Sequence, residues 1–176
     1  MSWEIPLADL DIGPEEERAV LEVLRRGWLT MGSETAAFEQ EFAAFTGAKQ
    51  AVAVTNCTAA LHLSCLALGL QAGDEVIVPS LSFVATANAV RYTGATPVFA
   101  DVTSETDLCI APQAIAAKIS PNTRAIIVMH YAGYACDMAR IMALAEAHGL
   151  AVIEDAAHAP GATLDSRALG TWGVAG

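Results

Sequence analysis

An α/β fold built on a largely parallel sheet, with helices on both faces, is what this sequence predicts. Short apolar runs alternate with helical patterns along most of the chain. The runs are near-continuously apolar, which implies burial on both faces. No repeat, low-complexity tract or clear linker interrupts the 176 residues, a length that suits one domain with a sizeable core.

Pro14 followed by Glu15, Glu16 and Glu17 marks a helix start, with proline first and acids in the first turn. That helix runs to about Arg26 and stops at Gly27. A second begins near Ser33, a residue suited to N-capping. It carries Phe38, Phe42 and Phe45 at helical spacing, and these are expected to face a core. After Gly47, residues 50–54 predict a strand, 58–68 a helix ending at Gly69, and 75–78 a strand. A helix follows over about 84–92, a strand over 96–100, and a short helix opened by Pro112. Residues 124–129 predict a strand, 137–148 a helix with Gly149 after it, and 150–154 a strand. In such sheets ligands collect beyond the C-terminal strand ends.

The formal net charge is -11, with nine Lys plus Arg. That argues against nucleic-acid and anionic-membrane partners, which need clustered cations. Any anionic ligand must then be held by local groups. No segment approaches ~18 uninterrupted apolar residues, so no membrane span is expected. Met1 to Pro14 carries Glu4, Asp9 and Asp11 and no basic residue, unlike a signal peptide. Cys57, Cys65, Cys109 and Cys136 show neither a C-x-x-C pair nor metal-type spacing, and read as free thiols in a cytoplasmic protein.

The strand ends carry the candidate chemistry. Residues 50–54 lead into Thr55-Asn56-Cys57-Thr58-Ala59-Ala60 and straight into a helix. Small and hydroxyl residues at a helix N-terminus leave backbone N–H groups open to a phosphate. The same residues also read as an ordinary N-cap by Asn56 or Thr58. With no glycine and no following lysine, the stretch is neither a dinucleotide nor a Walker loop. After 75–78, Phe83 either lies over a flat ring or packs into the core. After 150–154, Asp155 either caps the next segment or pairs with a protonated heterocyclic nitrogen. His158 either hydrogen-bonds a ligand oxygen or is a satisfied, partly buried histidine. His130-Tyr131-Ala132-Gly133 reaches the same edge after 124–129, with no role set by spacing alone.

Taken in order, these residues resemble the DegT/DnrJ-type sugar aminotransferases, a branch of the fold-type-I pyridoxal 5'-phosphate (PLP) enzymes. The resemblance runs over nearly the whole chain. It rests on Gly27-Trp28-Leu29-Thr30 with Gly32, Thr58-Ala59-Ala60-Leu61-His62 and Gly73-Asp74-Glu75-Val76-Ile77-Val78-Pro79. It continues through Phe83-Val84-Ala85-Thr86-Ala87-Asn88-Ala89-Val90, Pro97-Val98-Phe99, His130-Tyr131-Ala132-Gly133 and Glu154-Asp155-Ala156-Ala157-His158. The resemblance implies that Thr58 and Ala59 hold the PLP phosphate through backbone N–H groups and the hydroxyl. Cys57 lies beside them, in a position the family usually gives to a smaller residue. Phe83 would stack on the pyridine ring, Asp155 pair with its nitrogen, and His158 approach its phenolic oxygen. Asp155 and His158 are thus the catalytic candidates. Thr30 and Gly32 in the 27–32 loop, with His130 and Tyr131, would border the substrate.

The implied reaction moves an amino group from glutamate to a nucleotide-linked keto-sugar, without a metal, in a homodimer. Its products would be amino sugars for surface glycans or natural products. Alternatives are a PLP-dependent sugar dehydratase on the same scaffold, with histidine replacing the lysine, and a non-catalytic or regulatory relative. The family's Schiff-base lysine is expected shortly after Gly170-Thr171-Trp172-Gly173-Val174-Ala175-Gly176. The chain's lysines, Lys49 and Lys118, do not fall there. Residues 1–176 are therefore expected to be an N-terminal segment plus most of a PLP-binding large domain. That domain would be incomplete at its C-terminal end, without the small C-terminal domain, and inactive alone.

Overall fold

A computed structural model describes residues 10–176. The reading of the N-terminal stretch as lacking a leader rests largely on residues 1–9, which lie outside the described residues. The chain forms two compact units, the first ending at Phe38 and the second running Glu39–Gly176.

In the first unit, α1 spans Pro14–Arg26. Pro14 sits where its missing N–H costs nothing, and the Glu16 carboxylate accepts the Gly13 N–H at 2.8 Å. Gly27 ends the helix in a left-handed conformation, φ 73°. Helix α2 spans Ser33–Thr46 and has no buried residue. Its Phe38, Phe42 and Phe45, expected in a core, keep 55%, 39% and 68% of their surface exposed. Helical spacing identifies an apolar stripe but not what covers it.

The second unit is the α/β body. Helix α3 (Cys57–Ala67) precedes β1 (Glu75–Pro79), α4 (Val84–Tyr92), β2 (Thr96–Ala100) and α5 (Pro112–Ala116). Then come β3 (Thr123–Met129), α6 (Met138–His148) and β4 (Ala151–Asp155). A small antiparallel pair follows, β5 (Thr163–Leu164) with β6 (Arg167–Ala168). The main sheet has the order β2-β1-β3-β4, and every pairing within it is parallel.

Strand alternation splits the core in two. Ile77, Ile126, Val128 and Val152 pack with Ile115 of α5 and Met138, Ile141 and Ala145 of α6. Val76, Val78, Ala125, Ile127 and Ile153 pack with Leu61 and Cys65 of α3 and Ala89 and Val90 of α4. Helices therefore cover both faces, which is why β1 and β3 are apolar almost throughout.

Residues 50–54, expected as a strand, form no strand. A strand needs a partner backbone, and the main sheet provides none for them. The Ala53 N–H is held by the Glu39 carboxylate at 2.8 Å instead. At the other edge, the segment ending in Ala175 lies parallel to β4. Val174 N–H donates to Val152 O at 2.8 Å and Glu154 N–H to Ala175 O at 2.9 Å.

Gly173 permits that approach, because a Cβ there would overlap the Val152 carbonyl. Gly173→Ala should therefore lower the urea midpoint by an amount equivalent to ~1–3 kcal/mol, as overpacking does. It should also speed exchange of the Glu154 amide. Wild-type stability with a protected Glu154 amide would show that the pairing does not require glycine at position 173.

Candidate active site

The path of the chain creates an opening at one sheet edge. From β1 it moves outward through α4 to β2, then crosses to β3 on the other side of β1. Strands on either side of that reversal diverge in their connections, and ligands settle outside their C-terminal ends. The ends of β1, β3 and β4, with the N-terminus of α3, supply the candidate residues.

Asp155 closes β4. It is 4% exposed, and its Oδ2 accepts the Thr86 hydroxyl at 2.7 Å. Oδ1 takes the Cys57 thiol at 3.6 Å and the Ala157 N–H at 3.4 Å. Every one of these donors is neutral, and among the described residues no Lys, Arg or His forms an ion pair with Asp155. Burial, the Asp155 charge and the bond to its carboxylate push the Cys57 thiol up to about 11. Cys57 therefore stays a protonated donor at neutral pH.

Thr86 was not singled out from sequence, because a threonine inside a helix reads as ordinary. It is 1% exposed and also bonds Ser82, oxygen to oxygen, at 2.6 Å. Donating to Asp155, it accepts from Ser82. The i,i+4 hydroxyl pair at the start of α4 was visible in sequence; its target, 69 residues away, was not.

Asn56 caps α3, and its side chain accepts the Ala59 N–H at 2.9 Å. The expected use of the Ala59 amide for phosphate thus competes with an existing cap. The amides of Cys57 and Thr58, together with the Thr58 hydroxyl, have no protein partner among the described residues, and the helix dipole points there. Phe83, before α4, leaves 68% of its surface open. An open aromatic, free helix-end amides and a buried carboxylate lacking a cation suit a flat, phosphorylated ring bearing a protonated nitrogen. PLP fits that description.

The two histidines separate. His158 is exposed, with its ring edge-on to Tyr131 at 6.0 Å. Its Nδ1 accepts the Ala132 N–H at 3.3 Å. His130, expected at the substrate, is 0% exposed and cannot touch one as the fold stands. Its Nε2 meets the Glu154 carboxylate at 3.0 Å and its Nδ1 accepts the Cys136 N–H at 3.2 Å. Burial alone would raise the Glu154 pKa. The His130 bond and the amides of Gly173 and Gly170 outweigh it and hold the carboxyl below its usual value. Tyr131 is half-buried beside His158. Thr30 and Gly32 belong to the first unit. There Gly32 leaves room for the Trp28 indole, whose N–H donates to Met31 O at 2.9 Å.

Residues 10–176 match the DegT/DnrJ/EryC1/StrS aminotransferase family. The chain is 49% identical over 175 residues to the spore coat polysaccharide biosynthesis protein SpsC of Bacillus subtilis (strain 168), covering 99% of itself and 44% of that protein. It superimposes on the aminotransferase from Psychrobacter cryohalolentis with TM-score 0.90 at 44% identity, covering 93% of itself and 42% of that chain. The PLP form of Spr1654 from Streptococcus pneumoniae gives TM-score 0.90 at 28% identity, over 97% of this chain and 47% of that one. The chain thus spans under half the length of these relatives.

Thr86→Val removes the closest donor to a buried carboxylate. The expected cost is ~1–3 kcal/mol, read from the urea midpoint. Thr86→Ser should recover most of it. Equal midpoints for wild type and the valine variant would show that Asp155 does not depend on this hydroxyl.

Proposed function

The chain belongs to the DegT/DnrJ/EryC1/StrS aminotransferase family, and we propose that it provides the cofactor-holding part of an enzyme that moves an amino group from glutamate to a nucleotide-linked keto-sugar. The observation that carries this reading is Asp155: a buried carboxylate, supported by neutral donors, at the ligand edge of the sheet. PLP, when bound, supplies an electron-accepting ring that stabilises the charge left when a proton leaves the substrate carbon.

The chain's own residues prepare that chemistry. Asp155 holds the proton on the ring nitrogen, because a carboxylate in a dry site strongly favours a cationic partner. Thr86 and Cys57 fix the plane of that carboxylate from α4 and α3. Thr58 and the open amides of α3 take the phosphate, and Phe83 limits the tilt of the ring. His158 meets the phenolic oxygen. Thr30, Gly32 and Tyr131 are the substrate-bordering candidates. Neither Lys49 nor Lys118 follows a strand end, so neither serves as the proton-moving amine. Likeness to SpsC supports a sugar destined for a surface polysaccharide. The same reading has it made in the cytoplasm, by a homodimer. Among the described residues no helix is long and apolar enough to cross a membrane.

The protein expressed from its complete gene should retain PLP through gel filtration. With glutamate and nucleotide-linked keto-sugars, it should release 2-oxoglutarate and amino sugar in equal amounts. A deoxygenated sugar without amine would instead identify a dehydratase. Asp155→Asn should lower kcat at least ~100-fold, about 2.7 kcal/mol of barrier. Unchanged turnover in that variant would remove Asp155 from its role.

A further inference from the structure

Glu154 and His130 are 1% and 0% exposed, and neither is among the residues placed against the cofactor above. On β4, Glu154 points to the face opposite Asp155, toward β3 and α6, so it does not address the ring. Its oxygens are nonetheless fully engaged. Oε2 takes His130 Nε2 at 3.0 Å and the Gly170 N–H at 2.8 Å, while Oε1 takes the Gly173 N–H at 2.7 Å. A buried carboxylate is tolerated only when so satisfied. The question is what its placement achieves.

His130 is the pivot. Its backbone N–H donates to Asp155 O at 3.2 Å, tying the end of β3 to the end of β4. Its carbonyl accepts the Gly133 N–H at 3.1 Å, and its Nδ1 accepts the Cys136 N–H at 3.2 Å. An imidazole whose Nδ1 accepts must carry its proton on Nε2, the atom facing Glu154. Glu154 thus fixes the His130 ring, and the ring closes the 130–136 turn from within.

That turn is strained where it meets His158. Ala132 has φ 51°, left-handed backbone that a residue with a Cβ adopts at a cost of roughly 1–2 kcal/mol. Gly133 follows at φ 85°, and a Cβ there would stand 3.2 Å from His158 O. Such strain persists only where surrounding contacts over-determine it, and it concentrates at functional sites. Its product is the Ala132 N–H aimed at His158 Nδ1, at 3.3 Å.

We propose that the buried Glu154–His130 pair is a positioning element that holds the 130–136 turn so that the Ala132 amide fixes His158 as an Nε2–H donor at the ligand edge. His158 then gives a hydrogen bond to an anionic oxygen and does not remove a proton. The assignment of that oxygen to PLP rests on the function proposed above; the tautomer does not.

The test uses the protein expressed from its complete gene, labelled with 15N. Without cofactor, nitrogen–proton correlation spectra should show the His158 proton on Nε2. A coupling across the hydrogen bond should join Ala132 N to His158 Nδ1. A His158 proton on Nδ1 overturns the proposal without recourse to any variant. PLP affinity then supplies a double-mutant cycle. Glu154→Gln and His158→Ala should each weaken binding about tenfold, and together also about tenfold, because one acts through the other. A combined loss near ~100-fold would show independent effects and overturn the proposal. If wild-type protein binds no PLP, the proposed function fails, while the spectra still decide the tautomer.

Discussion

A carboxylate sealed into a strand end, with no cation paired to it among the described residues, is the constraint on which the rest of this site depends. Neutral hydrogen bonds soften the cost of taking such a charge from water, but a cation offsets it far better. Asp155 has one close donor, Thr86 Oγ1, and two long ones. Its neighbour Glu154 has three protein donors within 3.0 Å. Two adjacent carboxylates on one strand, aimed at opposite faces, thus differ: one is held by three close protein donors, the other by one close and two long ones.

The packing explains why Asp155 can be held this way. Helices α3 and α4 lie on the same face of the sheet through Leu61, Cys65, Ala89 and Val90. That packing brings Cys57 and Thr86, 29 positions apart in the chain, onto one carboxylate. It also leaves the first amides of α3 beside the strand end, so a phosphate and a ring nitrogen can be gripped by elements sharing one core. The opposite face, with α5 and α6, serves the 130–136 turn and the Gly170–Ala175 segment. Both gather around His130 and Glu154.

Much of this was legible in the chain. Strands β1, β3 and β4 read as near-continuous apolar runs because they are buried almost throughout, and Gly27 and Gly149 mark helix ends through left-handed backbone. Other features depend on contacts that sequence spacing does not contain. Residues 50–54 have a strand's composition but no partner backbone among the described residues. Phe38, Phe42 and Phe45 have a core's periodicity but remain open. His130 and His158 both follow strands at the same edge, and only the turn between β3 and α6 decides that one is sealed inward and the other faces out. Thr86 is hidden by ordinariness, since its importance lies wholly in what stands across from it.

The position of the cofactor is the most direct measurement of the central claim. A crystal structure of the protein expressed from its complete gene, with PLP bound, should place the pyridine nitrogen within about 3 Å of an Asp155 oxygen, a hydrogen-bonding distance. The phosphate should lie against Thr58 and the first amides of α3. A cofactor bound elsewhere, or an Asp155 carboxylate paired with a protein cation instead of the ring, would contradict it.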